Sequence, residues 1–185
     1  TTVPTIFILF NSLLIGSTAP LSAPILSFFP INLDAPIAAF SVTLINKFKN
    51  LCFSKNIDIG CRINPLYSEV EVLKYNSSSL SSRLGVHIDK IDELDFRFIT
   101  GIHFHSLCEQ NFESLQNTWN KIWPVIKNHT KSLKWINLGG GHHITRSDYD
   151  VANLTDFLIK IKSDTNCQII LEPGEAIVFQ SGVLI

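Results

Sequence analysis

Residues 133–143 read LKWINLGGGHH, a short apolar run that ends in three glycines and two histidines. Such a run is typical of a buried β-strand, and the glycines after it are typical of a tight connection to a helix. Glycine N–H groups can also approach a phosphate closely, because no side chain blocks the backbone. Gly139, Gly140 and Gly141 are therefore consistent with both a phosphate-binding loop and a plain strand-to-helix turn.

Three similar runs lie along the chain, and together the four recur about every 35 residues with helical patterns between them. The predicted strands are 57–63, 98–104, 133–138 and 168–171. The predicted helices are 112–126 and 149–161, the second opened by the capping-box pattern Ser147-x-x-Asp150. Alternating strands and helices indicate βαβ units and a parallel sheet. The expected fold class is α/β, as part of a (β/α)8 barrel of the TIM type, with a doubly wound sheet as the alternative.

Polar side chains lie at or just after the end of each predicted strand. They are Arg62, His103, His105, His142, His143 and Glu172. In parallel α/β folds ligands bind at the carboxyl ends of the strands, so these residues are candidates for one site. His103 and His105 are two residues apart on a strand and point to the same face.

The histidines allow two kinds of chemistry. A neutral imidazole can stack on a cofactor ring, or it can ligate a metal. His103, His105, His142 and His143 together therefore keep open a metal-dependent hydrolase on the same barrel as an alternative function.

Composition excludes several classes of protein. The chain has 185 residues with 15 basic and 16 acidic side chains, a formal net charge of −1. Nucleic-acid binding needs a basic surface, so we expect no nucleic-acid partner. The four cysteines are widely spaced without a CxxC pair, which argues against a disulfide framework or a zinc finger.

Composition also divides the chain into residues 1–46 and residues 47–185. The first segment is apolar, has one charged side chain, Asp34, and holds five of the eight prolines. A membrane or export signal, genuine core strands, and a stretch foreign to the fold, such as a frame error, are all consistent with it. No basic region precedes its apolar start, and its apolar runs are shorter than the ~20 residues that span a bilayer, so no membrane partner is expected.

Several longer strings resemble one enzyme family. They include RINP (62–65), SRLG (82–85), GIHFHSLCE (101–109), WINLGGGHHIT (135–145) and LEPGEA (171–176). In this order they resemble carboxynorspermidine/carboxyspermidine decarboxylases over roughly residues 41–185. These are pyridoxal-phosphate enzymes with an alanine-racemase-like barrel.

The resemblance implies roles for single residues. His105 would stack on the cofactor ring, and Glu172 would face its pyridine nitrogen, as the two catalytic residues. Gly139, Gly140, Gly141 and Gly174 would bind the phosphate, and Arg62 also falls among the cofactor-binding residues. His142 and His143 would contact the substrate, and no metal is expected.

The resemblance also implies the setting of the enzyme. It would be a cytoplasmic homodimeric carboxy-lyase of polyamine biosynthesis, with carboxynorspermidine or carboxyspermidine as substrate and a C-terminal β-domain beyond Ile185. The family's Schiff-base lysine would lie on an early strand, whereas residues 1–46 contain no lysine. The chain is therefore expected to be an incomplete form, with a non-catalytic remnant as a further alternative.

Overall fold

The structure, a computed structural model, describes residues 7–8, 37–39, 42–180 and 182. Its strands are β1 (Phe7–Ile8), β2 (Ile37–Ala39), β3 (Ile59–Asn64), β4 (Val86–His87), β5 (Ile99–His103), β6 (Trp135–Asn137) and β7 (Gln168–Leu171). Its α-helices are α1 (Val42–Ser54), α2 (Phe112–Ile126), α3 (Val151–Thr165) and α4 (Glu175–Val178). Short 3-10 helices occupy Leu73–Tyr75, Ile88–Glu93 and Thr130–Ser132.

All the described strand pairs are parallel, and the sheet follows the order β1-β7-β6-β5-β3-β2, with β4 paired to β3 outside this path. From β2 to β7 the neighbours follow the chain, without the reversal of order that marks a doubly wound sheet. The first strand lies beside the last one, as in a barrel. The α/β prediction and the partial barrel are confirmed.

The predicted helices and strands agree with the structure to within a few residues, and the main difference is at α3. Asp150, rather than Ser147, is the residue that caps this helix, because its side chain accepts a hydrogen bond from the Asn153 N–H at 2.9 Å. The predicted capping box is therefore wrong. The helix also continues beyond Ile161 to Thr165, where Asn166 in a left-handed conformation ends it.

Loss of this cap gives a first testable effect. The substitution Asp150→Ala removes the acceptor for the Asn153 N–H and is expected to lower the free energy of unfolding by about 1 kcal/mol. Urea denaturation measures the change. Asp156→Ala is the matched control, since Asp156 is an exposed acid within the same helix. Equal losses from the two variants would contradict the capping role.

The two faces of the sheet carry different side chains, because successive residues of a strand point to opposite sides. The outer face is the one that packs against the helices. It carries one cross-strand row of apolar side chains, namely Cys61, Ile102, Ile136 and Ile169. All four are buried in the main apolar core, to which α2 and α3 also contribute.

The inner face carries two rows with another composition. Gly60, Gly101, Trp135 and Gln168 form the first row, and Arg62, His103, Asn137 and Ile170 form the second, closer to the carboxyl ends of the strands. Thus a polar row lies where a ligand would meet the sheet.

Little of the segment 1–46 is described. Within it, β1 and β2 pair with β7 and β3, and α1 begins at Val42 and continues past residue 47. The remaining part lies outside the described residues, and the division at residue 47 stays a prediction. Of the helices that the structure describes, none has both the length and the apolarity needed to cross a bilayer.

Candidate functional site

The candidate site is built on the polar row of the inner face. Arg62 on β3 lies in register with His103 on β5, and His103 lies in register with Asn137 on β6. Parallel neighbours in register point to the same face, so these three side chains lie side by side at the carboxyl ends of their strands.

Glu172 joins this row from the turn that follows β7. Its Oε1 accepts a hydrogen bond from Asn137 Nδ2 at 2.9 Å, and its Oε2 lies 3.7 Å from His103 Nε2. The other end of the Asn137 amide accepts from the Gly139 N–H at 2.9 Å. Asn137 therefore holds both the carboxylate and the start of the glycine loop in place.

His105 is the next member of this site and lies close to the glycine loop. Its Nδ1 accepts a weak hydrogen bond from the Gly140 N–H at 3.4 Å. Its backbone carbonyl accepts from Ser77 Oγ at 2.5 Å and from Arg62 Nη2 at 3.5 Å. The ligating atoms of His103, His105 and Glu172 all lie within 4.8 Å of one another.

The glycine loop needs glycine for close packing as well as for its conformation. Gly139 and Gly141 have φ values of 75° and 81°, which disfavour other residues. A Cβ on Gly140 would lie 2.1 Å from the Glu172 carbonyl oxygen. This loop therefore packs directly against the turn that carries Glu172.

Open space lies beside Gly174 instead. A Cβ there would meet no atom of the described residues within 4 Å. The N–H groups of Gly139 and Gly140 donate to Asn137 and His105, and the Gly174 N–H donates to the Glu172 carbonyl at 2.8 Å. Of these positions, Gly174 thus leaves the most room for a bound group.

Burial keeps the site histidines neutral. Desolvation, with a smaller contribution from Arg62, lowers the pKa of His103 to about 3. The same causes lower the pKa of His105. At neutral pH the 3.7 Å contact between His103 and Glu172 is therefore not an ion pair, and it is too long for a good hydrogen bond.

Arg62 supplies positive charge next to these neutral rings. Burial lowers the pKa of its guanidinium, and the nearby Glu172 carboxylate opposes that shift. An arginine remains charged under these conditions. The site thus combines one cation, one acid and two neutral imidazoles.

His142 and His143 are not members of the cluster formed by His103, His105 and Glu172. The His142 side chain is buried, with Nδ1 3.3 Å from the Tyr149 hydroxyl, and burial lowers its pKa to about 4. His143 Nδ1 lies 2.5 Å from Glu175 Oε2, at the edge of the turn after β7. The four histidines of the hydrolase alternative are thus split, and only His103 and His105 belong to the cluster with Glu172.

Two residues of the site escaped the sequence analysis. The sequence pattern predicts Asn137 only as part of a strand, whereas in the structure it lies at the end of β6 and forms hydrogen bonds with Glu172 and Gly139. Ser77 lies in a serine-rich loop and reaches the His105 carbonyl from 28 residues away. The alternation of side chains along β6 places Asn137 on the inner face. No local sequence pattern predicts the contact of Ser77 with His105.

Comparison with known proteins finds similarity to decarboxylases over part of their length. No protein-family model matches it. It is 31% identical over 145 residues to the carboxynorspermidine/carboxyspermidine decarboxylase of Campylobacter jejuni. This match covers 78% of the chain and 37% of that protein. It is 34% identical over 134 residues to the carboxyaminopropylagmatine decarboxylase of a Synechocystis species, covering 70% of the chain and 34% of that protein.

Solved structures agree with these matches. A crystal structure of carboxynorspermidine decarboxylase from Campylobacter jejuni, complexed with norspermidine, superposes with a TM-score of 0.67 at 31% identity and covers 79% of the chain. Diaminopimelate decarboxylase from Helicobacter pylori, complexed with L-lysine, shares the fold with a TM-score of 0.60 at 20% identity. The chain covers 36% and 40% of these two proteins, so it spans little more than a third of their length.

Proposed function

We propose that this chain, a relative of the carboxynorspermidine/carboxyspermidine decarboxylases with their alanine-racemase-like barrel fold, forms the cofactor-holding part of a pyridoxal-phosphate carboxy-lyase. The substrate is carboxynorspermidine or carboxyspermidine, and the product is the free polyamine. The setting is a cytoplasmic homodimer in polyamine biosynthesis.

One observation supports the proposal above the others. His105 and Glu172, which come from different strand ends, meet beside the glycine loop, where Gly140 lies against both of them. In a chain related to decarboxylases, these two side chains suit a pyridine cofactor. The flat imidazole can stack on the plane of the ring, and the acid can bind the ring nitrogen.

The donor set fits pyridoxal phosphate on chemical grounds. The Glu172 carboxylate is an acceptor for a protonated pyridine nitrogen, and the neutral His105 ring is a flat apolar surface for stacking. The open space at Gly174 leaves room for a phosphate, and Arg62 supplies positive charge beside Glu172 and the His105 carbonyl. When bound, pyridoxal phosphate supplies an electron sink for the loss of a carboxylate as CO2.

The residues of the chain prepare this site before any ligand enters. Asn137 donates to Glu172 and so fixes the orientation of the carboxylate while leaving Oε2 for another donor. Gly140 and Ser77 hold the ring and backbone of His105. His143 and Glu175 meet at the turn beyond Gly174, where they can contact the amine-rich substrate.

A pyridoxal-phosphate decarboxylase also needs a lysine that attaches the cofactor. Residues 1–46 contain no lysine. Among the described residues, the hydrogen bonds and ion pairs of Glu172 and His105 involve no lysine. Covalent capture requires a lysine amine of lowered pKa next to the cofactor aldehyde.

We therefore expect this 185-residue chain to bind pyridoxal phosphate reversibly and to release no CO2 from carboxynorspermidine. The test is to incubate the purified chain with pyridoxal phosphate, reduce with borohydride, and measure the mass of the protein. The expected mass is that of the unmodified chain, and parallel assays should detect no CO2. One modified lysine together with CO2 release would overturn this prediction.

A further inference from the structure

We propose that His103, His105 and Glu172 form a binding site for a divalent transition-metal ion of the Zn²⁺ class. This inference does not rest on the decarboxylase function, because it concerns the ligating atoms and their geometry alone. Two imidazoles and one carboxylate are a donor set that Zn²⁺ and its neighbours accept readily.

The geometry of the cluster is close to that of a metal centre. One ligating atom from each of the three side chains lies within 4.8 Å of the others, and His103 Nε2 and Glu172 Oε2 are 3.7 Å apart. Bonds of about 2.1 Å in a tetrahedral centre separate neighbouring ligands by about 3.4 Å. Small side-chain movements therefore suffice to bring the three atoms onto one ion.

His103 gives an independent indication. Its side chain is only 9% exposed, and among the described residues its Nε2 has no hydrogen-bond partner. A buried polar atom without a partner is costly, so such atoms usually have a ligand or an ordered water. This nitrogen lies 3.7 Å from Glu172 Oε2, a second potential ligand atom.

Neighbouring residues prepare one ligand and oppose the charge of the ion. Asn137 donates to Glu172 Oε1 and leaves Oε2 for the metal, as the outer partners of metal ligands commonly do. Arg62 lies on the same face and repels a cation, which weakens binding without blocking the three ligands. With three protein ligands, at least one coordination position remains for water.

Metal and cofactor would compete for the same residues. Glu172 and His105 serve both proposed ligands, so the ion and pyridoxal phosphate cannot be bound together. Metal binding would therefore hold the chain in a form that does not take up the cofactor.

Cobalt(II) is a suitable probe, since a bound four-coordinate ion absorbs visible light. Titration of the purified, metal-free chain with Co²⁺ is expected to give a saturable absorption band with one ion per chain. Glu172→Gln and His103→Gln should each weaken Co²⁺ binding by at least about 100-fold, because each removes a ligand and loss of an outer partner alone costs 10- to 100-fold. His129→Gln is the matched control, because His129 pairs with Asp92 away from the cluster.

The outcomes separate this inference from the proposed function. A band that pyridoxal phosphate abolishes supports both ligands at one site. A band with no uptake of pyridoxal phosphate supports the metal site and contradicts the proposed function. Absence of a saturable band in the wild-type chain, or equal loss in His129→Gln and Glu172→Gln, overturns the metal site, and circular dichroism of each variant checks that it is folded.

Discussion

Replacing Glu172 with alanine is expected to lower the affinity of the chain for pyridoxal 5′-phosphate by roughly 10- to 100-fold, the effect of one charge-assisted hydrogen bond. The carboxylate would face the pyridine nitrogen, and the Asn137 amide holds it there. Glu172→Gln keeps the shape and the contact with Asn137 but loses the charge, so it should lose most of the same affinity. Fluorescence titration of each variant measures the change.

A matched variant checks that charge at this position, rather than net charge, is responsible. Glu71 is exposed, and Glu71→Gln changes the net charge by the same amount at a distant place. It should bind pyridoxal phosphate as the wild type does. Equal affinity in wild type and Glu172→Gln would contradict the role assigned to Glu172.

The substitution Gly101→Ala is expected to destabilise the protein by about 3 kcal/mol, at the upper end of the usual cost of overpacking a core. The Trp135 ring lies directly over Gly60 and Gly101 on the inner face of the sheet. A Cβ on Gly101 would be 1.9 Å from Trp135 Cε2, and one on Gly60 would be 2.2 Å from Trp135 Cη2. The indole is buried, so the new methyl group must displace it or bend the strand.

Urea denaturation of the variants measures this cost. Gly182→Ala is the control, since a Cβ at Gly182 meets no atom within 4 Å in the part of the chain that the structure describes, and it should leave the free energy of unfolding nearly unchanged. A stable Gly101→Ala protein would mean that Trp135 does not occupy the space above the two glycines.

The sequence predicts local features of this fold well and nonlocal ones poorly. The boundaries of α2 and β7 agree with the prediction, because α2 has a helical hydrophobic period and β7 is a short continuous apolar run. The predicted capping residue of α3, Ser147, is three residues before the observed one, Asp150, since both are good capping residues. Only the structure shows which of them receives the N–H.

The candidate site shows the same difference between local features, which the sequence predicts, and contacts between distant residues, which it does not. That Arg62, His103 and Glu172 gather at the strand ends could be predicted from the βαβ pattern, because parallel strands end at one edge of a sheet. The role of Asn137 depends on a side chain from the turn after β7, and the need for Gly60 and Gly101 depends on an indole from β6. Such contacts depend on register between strands, which the pattern of one strand does not contain.

Calorimetric titration of the purified 185-residue chain with pyridoxal 5′-phosphate tests most directly whether these strand ends form a cofactor site. The expected result is saturable binding of one molecule per chain that dialysis reverses, with weaker binding of pyridoxal because it lacks the phosphate. Heat of dilution alone, or equal binding by wild type and Glu172→Ala, would contradict a site built on Glu172 and His105.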